Sequence, residues 1–362
     1  MNESVIRVGV IGCGLISQRM HLPILRELEG AEIVAVCDIS RGTAESVARH
    51  YGVDRVYQDY RDLLADTEVD AVAILAYDHG GILMDALRAG KHALVEKPLA
   101  FTTDEAEEIL EVARQSEAVS MIGYMKLFDP AVQQATEWMR QAGEPRSVRV
   151  HDFGGRKEAL HRHDMKQLRV DDLSPEDLER ASKFSGDVEV RIAKALGSSH
   201  AGYATLFSKV LMLGCHDLGV LRTVVGRPVG VRYAQQVNER RALAVLELEN
   251  GAPCVFEAGV GIHHGYWDEH LTVYADEEEM RLEFGNPFYP YQPTELQLRR
   301  GEAGVPSTSV YRHSFDFGFR REWLHFLECI REGKRPSTAL EDGVQDIQLA
   351  IDIVKAMPAR PA

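Results

Sequence analysis

The sequence predicts a doubly wound α/β domain on a parallel sheet, followed by an α+β domain with a large, mostly antiparallel open sheet. Three observations predict it. The chain opens on a buried-strand pattern that runs straight into a glycine cluster; short apolar runs then alternate with helical patterns as far as residue 123; and from about Arg146 the pattern changes to apolar/polar alternation in one segment after another. With 362 residues and 45% hydrophobic content, the chain is long enough to bury two such cores.

Val5 to Ile11 is apolar except for Arg7 and Gly9, which suits a strand covered on both faces. GCGLIS, Gly12 to Ser17, follows at once and opens a helix to about Leu28. Its G-x-G-x-x-G/A pattern, with serine as the third small residue, sets the unpaired N–H groups of a helix N-terminus beside a pyrophosphate, making Gly12, Gly14, Leu15 and Ile16 candidates for cofactor binding. A second strand, AEIVAVCD, ends on Asp38. This carboxylate lies about 20 residues beyond the glycines, the spacing of the group that binds a ribose 2'-hydroxyl, and it favours NAD. Arg41 leaves NADP open, because a guanidinium three residues on is able to meet a 2'-phosphate. A helix at 42–51, strands at 71–75 and 92–95, helices at 82–89 and 103–115 and a short strand at 119–123 complete a Rossmann-type domain over residues 1–123.

The second domain is expected over 124–335, for substrate binding and oligomerisation. Its strands are SVRVHDF, VGVRYAQQV, ALAVLELE, APCVFEAGV, HLTVYA, MRLEFG and ELQLRR. Ser174 as N-cap, Pro175 at the first helical position and Glu176 and Asp177 in the first turn mark a helix start between them. Residues 336–362 are expected to form a helix that packs back on the first domain.

The formal net charge of -15 argues against nucleic acid or an anionic membrane as partner, since both reward a basic excess. Five scattered cysteines without a Cys-x-x-Cys pair read as reduced thiols and give no metal site. The start, MNESVIRVGVIG, has neither a basic leader nor a long apolar segment, so the chain is expected in the cytoplasm.

GKHALVEKPLA, Gly90 to Ala100, ends a sheet strand on Glu96-Lys97-Pro98. With the glycine start, GYMKLFDPAV, GCHDL and EGKRPSTALEDG, it resembles the Gfo/Idh/MocA oxidoreductases over nearly the whole chain. The resemblance implies an NAD(P)-dependent enzyme in which Lys97 contacts the hydroxyl being oxidised and the Lys97-Pro98 peptide is cis. An ammonium at the carboxyl end of a strand is also suited to stabilising a developing alkoxide. Glu96 and Pro98 then border the cofactor, as do Ala76, Tyr77 and His79 in the loop AYDHGG, where relatives usually show Thr-Pro. Tyr124 and Lys126 join Lys97 as substrate-binding candidates.

VLMLGCHDLG, Val210 to Gly219, holds one histidine among apolar and small residues. The family usually shows Asp-x-x-x-His-x-x-Asp here, so the resemblance makes His216 the base, yet Met212 and Gly219 stand at the carboxylate positions. Asp217 lies about 100° round the helix from His216 and does not replace a partner four residues earlier. A histidine in this setting is otherwise a packed core residue, and Tyr77, Asp78 and His79 are other places for the missing polar group.

Between Arg156 and Arg169 basic residues outnumber acidic ones. Arg156 is taken as a substrate contact in a lid that meets an anionic group, and a solvated helix face is the plainer account. In GIHHGYWDEH, His263 and Trp267 offer the amphipathic surface that stacks on sugar faces, with sheet core or a subunit contact as the other reading.

Together these point to hydride transfer between NAD, or NADP, and a hydroxyl or keto group of a sugar, cyclitol or sugar-derived substrate, in a homodimer or homotetramer. A redox-neutral epimerase or lyase on tightly held NAD, or a cofactor-binding protein without turnover, are the alternatives.

Overall fold

The computed structural model describes residues 4–155, 167–261, 266–289, 292–302, 305–313 and 317–361. The chain forms two compact units. The first comprises Met1–Gly123, Asp164–Val190 and Glu322–Val344. Its sheet consists of β1 (Ile6–Ile11), β2 (Ala31–Cys37), β3 (Arg55–Tyr57), β4 (Ala71–Ile74), β5 (His92–Val95) and β6 (Ser120–Ile122). All pairs are parallel, in the order β3-β2-β1-β4-β5-β6, which is the dinucleotide-binding topology. Every side chain of β4 is buried, as expected of an apolar strand covered on both faces.

The glycine cluster feeds a π-helical turn, Ser17–His21, that continues as α1 (Leu22–Glu27). The sequence predicts one regular helix here. The wider turn instead buries Ser17, Gln18, Arg19, Met20 and His21 together, which no 3.6-residue stripe would do. The other helices between these strands are α2 (Arg41–Tyr51), α3 (Tyr60–Ala65), α4 (Gly80–Arg88) and α5 (Thr103–Arg114).

The second unit comprises Tyr124–His163, Arg191–Arg321 and Gln345–Ala362. After α6 (Pro130–Gln141) it builds a sheet from β7 (Ser147–Gly154), β8 (Pro228–Asn238), β9 (Arg241–Leu248), β10 (Pro253–Val260), β11 (Asp268–Tyr274), β12 (Glu278–Phe284), β13 (Glu295–Glu302) and β14 (Val305–Arg312). The order is β14-β13-β12-β11-β7-β10-β9-β8, antiparallel except for the parallel pair β7 and β10. Sequence alternation missed β14. Every residue of that edge strand is exposed, so no buried face imposes a period of two.

Three further helices follow: α7 (Pro175–Leu196), α8 (Ala204–Val224) and α9 (Gly318–Glu332). The predicted start of α7 is a reciprocal cap: Asp177 N donates to Ser174 Oγ at 3.1 Å and Ser174 N to Asp177 Oδ2 at 3.2 Å. The last helix is α10 (Leu340–Lys355). Glu322–Val344 belongs to the first unit, where Thr338 Oγ1 donates to Ile122 O at 2.8 Å. Gln345–Ala362 belongs to the second, where Tyr124 and Arg222 both donate to the Asp346 carboxylate.

Ala201–Val224 is long and apolar enough to cross a membrane, but 67% of its most apolar stretch is buried inside the fold, as in a core helix. Within it, α8 packs so closely on the sheet that a Cβ on Gly214 would lie 2.7 Å from Phe256 Cζ. Phe256 is fully buried and its ring has nowhere to retreat. We predict that Gly214→Ala destabilises the protein by about 1–3 kcal/mol in urea unfolding, the overpacking outweighing the helix preference of alanine. Stabilisation would show that the helix shifts freely.

Candidate active site

The first unit presents a crevice at the carboxyl ends of β1, β2, β4 and β5. Gly12 leaves β1 at φ +98°, and its N–H donates to Cys37 O at 2.8 Å. A Cβ there would sit 2.8 Å from Ala76 N, so only glycine fits this turn. Gly14 differs. No atom lies within 4 Å of where its Cβ would be, leaving the backbone open to close approach by a ligand. Leu15 and Ile16 open the helix, half-buried, and Gln18 secures the turn through Nε2 to Cys13 O at 2.7 Å. Ser17 is buried, its hydroxyl without a partner among the described residues.

Asp38 stands at the end of β2 and accepts hydrogen bonds from Cys13 N at 2.8 Å and Ser40 N at 2.9 Å. Two backbone donors fix the carboxylate, and its remaining lone pairs serve a ribose. The chain's own residues therefore fit a dinucleotide: an open glycine cradle for the pyrophosphate and an oriented acid for the sugar. Arg41 is exposed and turned to Glu45, 2.9 Å away.

At the end of β4, Tyr77 is 48% exposed and its ring lies 5.4 Å from that of Phe101. His79 is buried, with Nδ1 at 2.9 Å from Ala76 O and Nε2 against Pro98 O. Both ring nitrogens face carbonyls of the chain itself, so His79 holds the Ala76 loop to Pro98.

At the end of β5 lie Glu96, Lys97 and Pro98, the Lys97-Pro98 peptide being cis. Glu96 is buried; its Oε1 meets His21 Nε2 at 3.1 Å and its Oε2 accepts from Lys97 N at 3.1 Å. Trp323 Nε1 donates to His21 Nδ1 at 3.1 Å. An indole N–H is donor only, so His21 Nδ1 accepts and Nε2 carries the proton given to Glu96. Burial pushes the Glu96 carboxyl up, but the hydrogen bond from His21, with Lys97 nearby, outweighs it and holds the group below the ordinary range. Glu322 is the opposite case. Fully buried, with no hydrogen-bond partner among the described residues, it is pushed well above the ordinary carboxyl range by burial and then by Glu96. Sequence reading missed His21, Glu322 and Trp323. The only signal was one histidine and one acid on otherwise apolar helix faces, which periodicity alone treats as defects.

In the second unit α8 carries His216, half-buried, with Met212 also half-buried one turn earlier. The Tyr124 ring stands edge-on at 6.3 Å from the His216 ring. The polar ends of Tyr124 and Lys126 have partners within the second unit. The Tyr124 hydroxyl donates to Asp346 Oδ2 at 2.6 Å, and burial, then the Asp346 charge, raises its pKa well above the ordinary phenol value. Lys126 is buried against Glu269, 3.6 Å from Asp217, and under the Phe284 ring. Asp217 is thereby committed to a lysine and leaves His216 without it. Trp267 is half-buried and donates from Nε1 to Glu269 Oε2 at 2.7 Å. Arg156 and His263 lie outside the described residues.

Comparison with known proteins agrees with these features. Residues 6–124 match the oxidoreductase family model for the NAD-binding Rossmann fold, and residues 209–360 match that family's C-terminal alpha/beta domain. Inositol 2-dehydrogenase of Paracoccus denitrificans is 33% identical over 383 residues, covering 99% of this chain and 98% of that protein. The chain belongs to the Gfo/Idh/MocA oxidoreductase family. Several other matches are local: scyllo-inositol 2-dehydrogenase (NAD(+)) of Bacillus subtilis is 32% identical over 131 residues, 36% of this chain and 38% of its own length. A 3-ketoreductase from Actinomadura kijaniata, solved with NADP and TDP-benzene, shares the fold with a TM-score of 0.74 and 20% identity over 98% of both chains.

The buried acid pair of the first unit makes a pH prediction. Because the Glu322 carboxyl is raised in the folded state, that state keeps a proton the unfolded chain loses above its ordinary value. Its contribution to stability is therefore lost as pH rises from the ordinary carboxyl range toward the raised value. Glu322→Gln should remove this decline, so that its unfolding free energy gains on wild type as pH is raised from 5 to 9. Parallel pH profiles would mean that the Glu322 carboxyl is ionised in the fold.

Proposed function

We propose that the protein is an NAD(P)-dependent dehydrogenase or reductase acting on a hydroxyl or keto group of a cyclitol or sugar-like substrate. The observation that carries this reading is Lys97, presented at the carboxyl end of β5 by a buried, ionised Glu96, in the same parallel sheet whose first strand leads into the glycine turn with its open Gly14. When bound, the nicotinamide supplies the hydride acceptor or donor. Lys97 stabilises the alkoxide as the carbinol hydrogen leaves, and His216 takes the hydroxyl proton in oxidation and returns it in reduction. Gly12, Gly14, Leu15, Ile16 and Asp38 hold the dinucleotide, with Ala76 and Tyr77 along its nicotinamide end. Asp38 favours NAD. The half-buried sheet face, where His151 and His270 stack at 4.9 Å, supports a homodimer or homotetramer, and the five free cysteines support a cytoplasmic setting.

The reading is tested by kinetics with NAD and a panel of inositols and sugars. Lys97→Ala should lower kcat at least about 100-fold while the Kd for NAD stays within about twofold, because the lysine acts on the transition state. Wild-type kcat would remove Lys97 from the chemistry.

A second pair of variants addresses His216. His216→Asn should keep the melting temperature, lower kcat about 100-fold and abolish the acid limb of the pH profile. Met212 and His216 are both half-buried, so Met212→Asp should fold. A sharply lowered melting temperature for His216→Asn with unchanged kcat would make the histidine packing alone.

A further inference from the structure

Residues 167–172 of the first unit lie across the first turn of α2, the helix that begins three residues after Asp38. Leu168 N donates to Gln18 Oε1 at 2.8 Å and Val170 N to Thr43 Oγ1 at 3.0 Å. The Asp172 carboxylate accepts from Ser40 Oγ at 2.5 Å and from Gly42 N at 2.6 Å. The fit is close: a Cβ on Gly42 would lie 2.8 Å from Val170 Cγ1 and 2.9 Å from Asp172 Oδ2.

This strap takes one of the donors that start α2, and Ser40 takes the next two. Gly42 N goes to Asp172, Thr43 N to Ser40 Oγ at 3.0 Å, and Ala44 N to Ser40 O at 3.0 Å. Ser40 joins two acids, its N–H to Asp38 and its hydroxyl to Asp172. That hydroxyl has one proton, and Asp172 at 2.5 Å is nearer than Thr43 Oγ1 at 2.7 Å or Val170 O at 3.3 Å. The hydrogen bonds from Ser40 and then Gly42 hold the Asp172 carboxyl below its ordinary range, so it is charged at neutral pH.

The ribose end of the crevice is fixed independently, by Asp38 at the tip of β2 and by the open face of Gly14. A 2'-phosphate on a ribose held by Asp38 falls beside the N-terminus of α2, where free N–H groups and the helix dipole would ordinarily receive it. Here an acid of the chain is already seated there. Arg41, the side chain suited to meeting a phosphate, is turned to Glu45.

We propose that Asp172 is a cofactor-specificity residue: its carboxylate stands where a 2'-phosphate would bind on α2 and, together with Asp38, restricts the protein to NAD. The inference rests on the assignment of this crevice to the dinucleotide. It accounts for a segment that no dinucleotide motif includes, since Asp172 is more than a hundred residues from the glycines it serves.

The test is titration calorimetry of the full chain with NAD, NADP, adenosine 5'-monophosphate and adenosine 2',5'-bisphosphate. Wild type should bind NAD and the monophosphate, and bind each 2'-phosphorylated counterpart at least about tenfold more weakly. Asp172→Ala should gain about tenfold or more for NADP and the bisphosphate, with NAD changed by no more than about twofold. Asp172→Asn keeps an acceptor for Gly42 N in its amide oxygen and turns its NH2 as donor to the Ser40 hydroxyl oxygen while removing the charge, so it should gain in the same direction with an unchanged melting temperature. Equal wild-type affinity for NAD and NADP, or variants that weaken both cofactors alike, would overturn the proposal and leave Asp172 a tether. Failure of all four nucleotides to bind would overturn the dinucleotide assignment itself, and this inference with it.

Discussion

The hydrogen bond between His21 and Glu96 is the constraint on which the first unit's chemistry depends. A carboxylate buried at the end of a central strand is costly unless it is paired and hydrogen-bonded. Here Trp323 sets the proton on His21 Nε2, His21 satisfies one oxygen of Glu96, and the other oxygen takes the N–H of Lys97. The cost of the buried charge is offset by geometry that fixes the backbone at Lys97. The π turn at Ser17–His21 belongs to the same arrangement, since it carries His21 into the core while the open glycine turn remains at the head of the same helix. The glycine turn and Lys97 are thereby referenced to one short segment of chain.

The second unit handles charge in a different way. Asp152, Asp217 and Glu269 are all buried, with ligand oxygens within 4.8 Å of one another, and the Lys126 ammonium lies against Glu269 and near Asp217. A cation already in place supplies the compensation that such carboxylates require. This explains why Asp217, although next to His216 in sequence, is not its partner. The helix directs adjacent residues to different faces, and the face of Asp217 is committed to Lys126.

Much of this was legible in the sequence, and the gaps have physical causes. Strands β1, β4 and β5 announce themselves as apolar runs because both faces are covered, whereas β3, three residues with no buried side chain, goes unread; Gly12, Gly14 and Asp38 are tied together by spacing along one strand-helix-strand unit. The edge strand β14 carries no such signal, having no buried face. The parallel pairing of β7 with β10 is invisible for another reason: alternation reports which face is buried but not which way a neighbour runs. His79, Tyr124 and Lys126 were placed among ligand contacts because their types suit ligands, yet each finds its partners within the fold, across separations that no local pattern encodes. His21, Trp323 and Asp172 are distant in sequence from the groups they orient, so only the folded chain brings them to light.

In the proposed reaction a carbinol hydrogen passes as hydride from substrate to cofactor on this chain. The most direct measurement supplies NAD with inositol deuterated at the carbinol carbon and follows the label by mass spectrometry of the released nicotinamide. The account predicts deuterium in free reduced cofactor, one atom for each keto product formed, with turnover slowed by the label. Product formed without released reduced cofactor, or deuterium lost to water, would contradict it and favour a redox-neutral reaction on retained NAD.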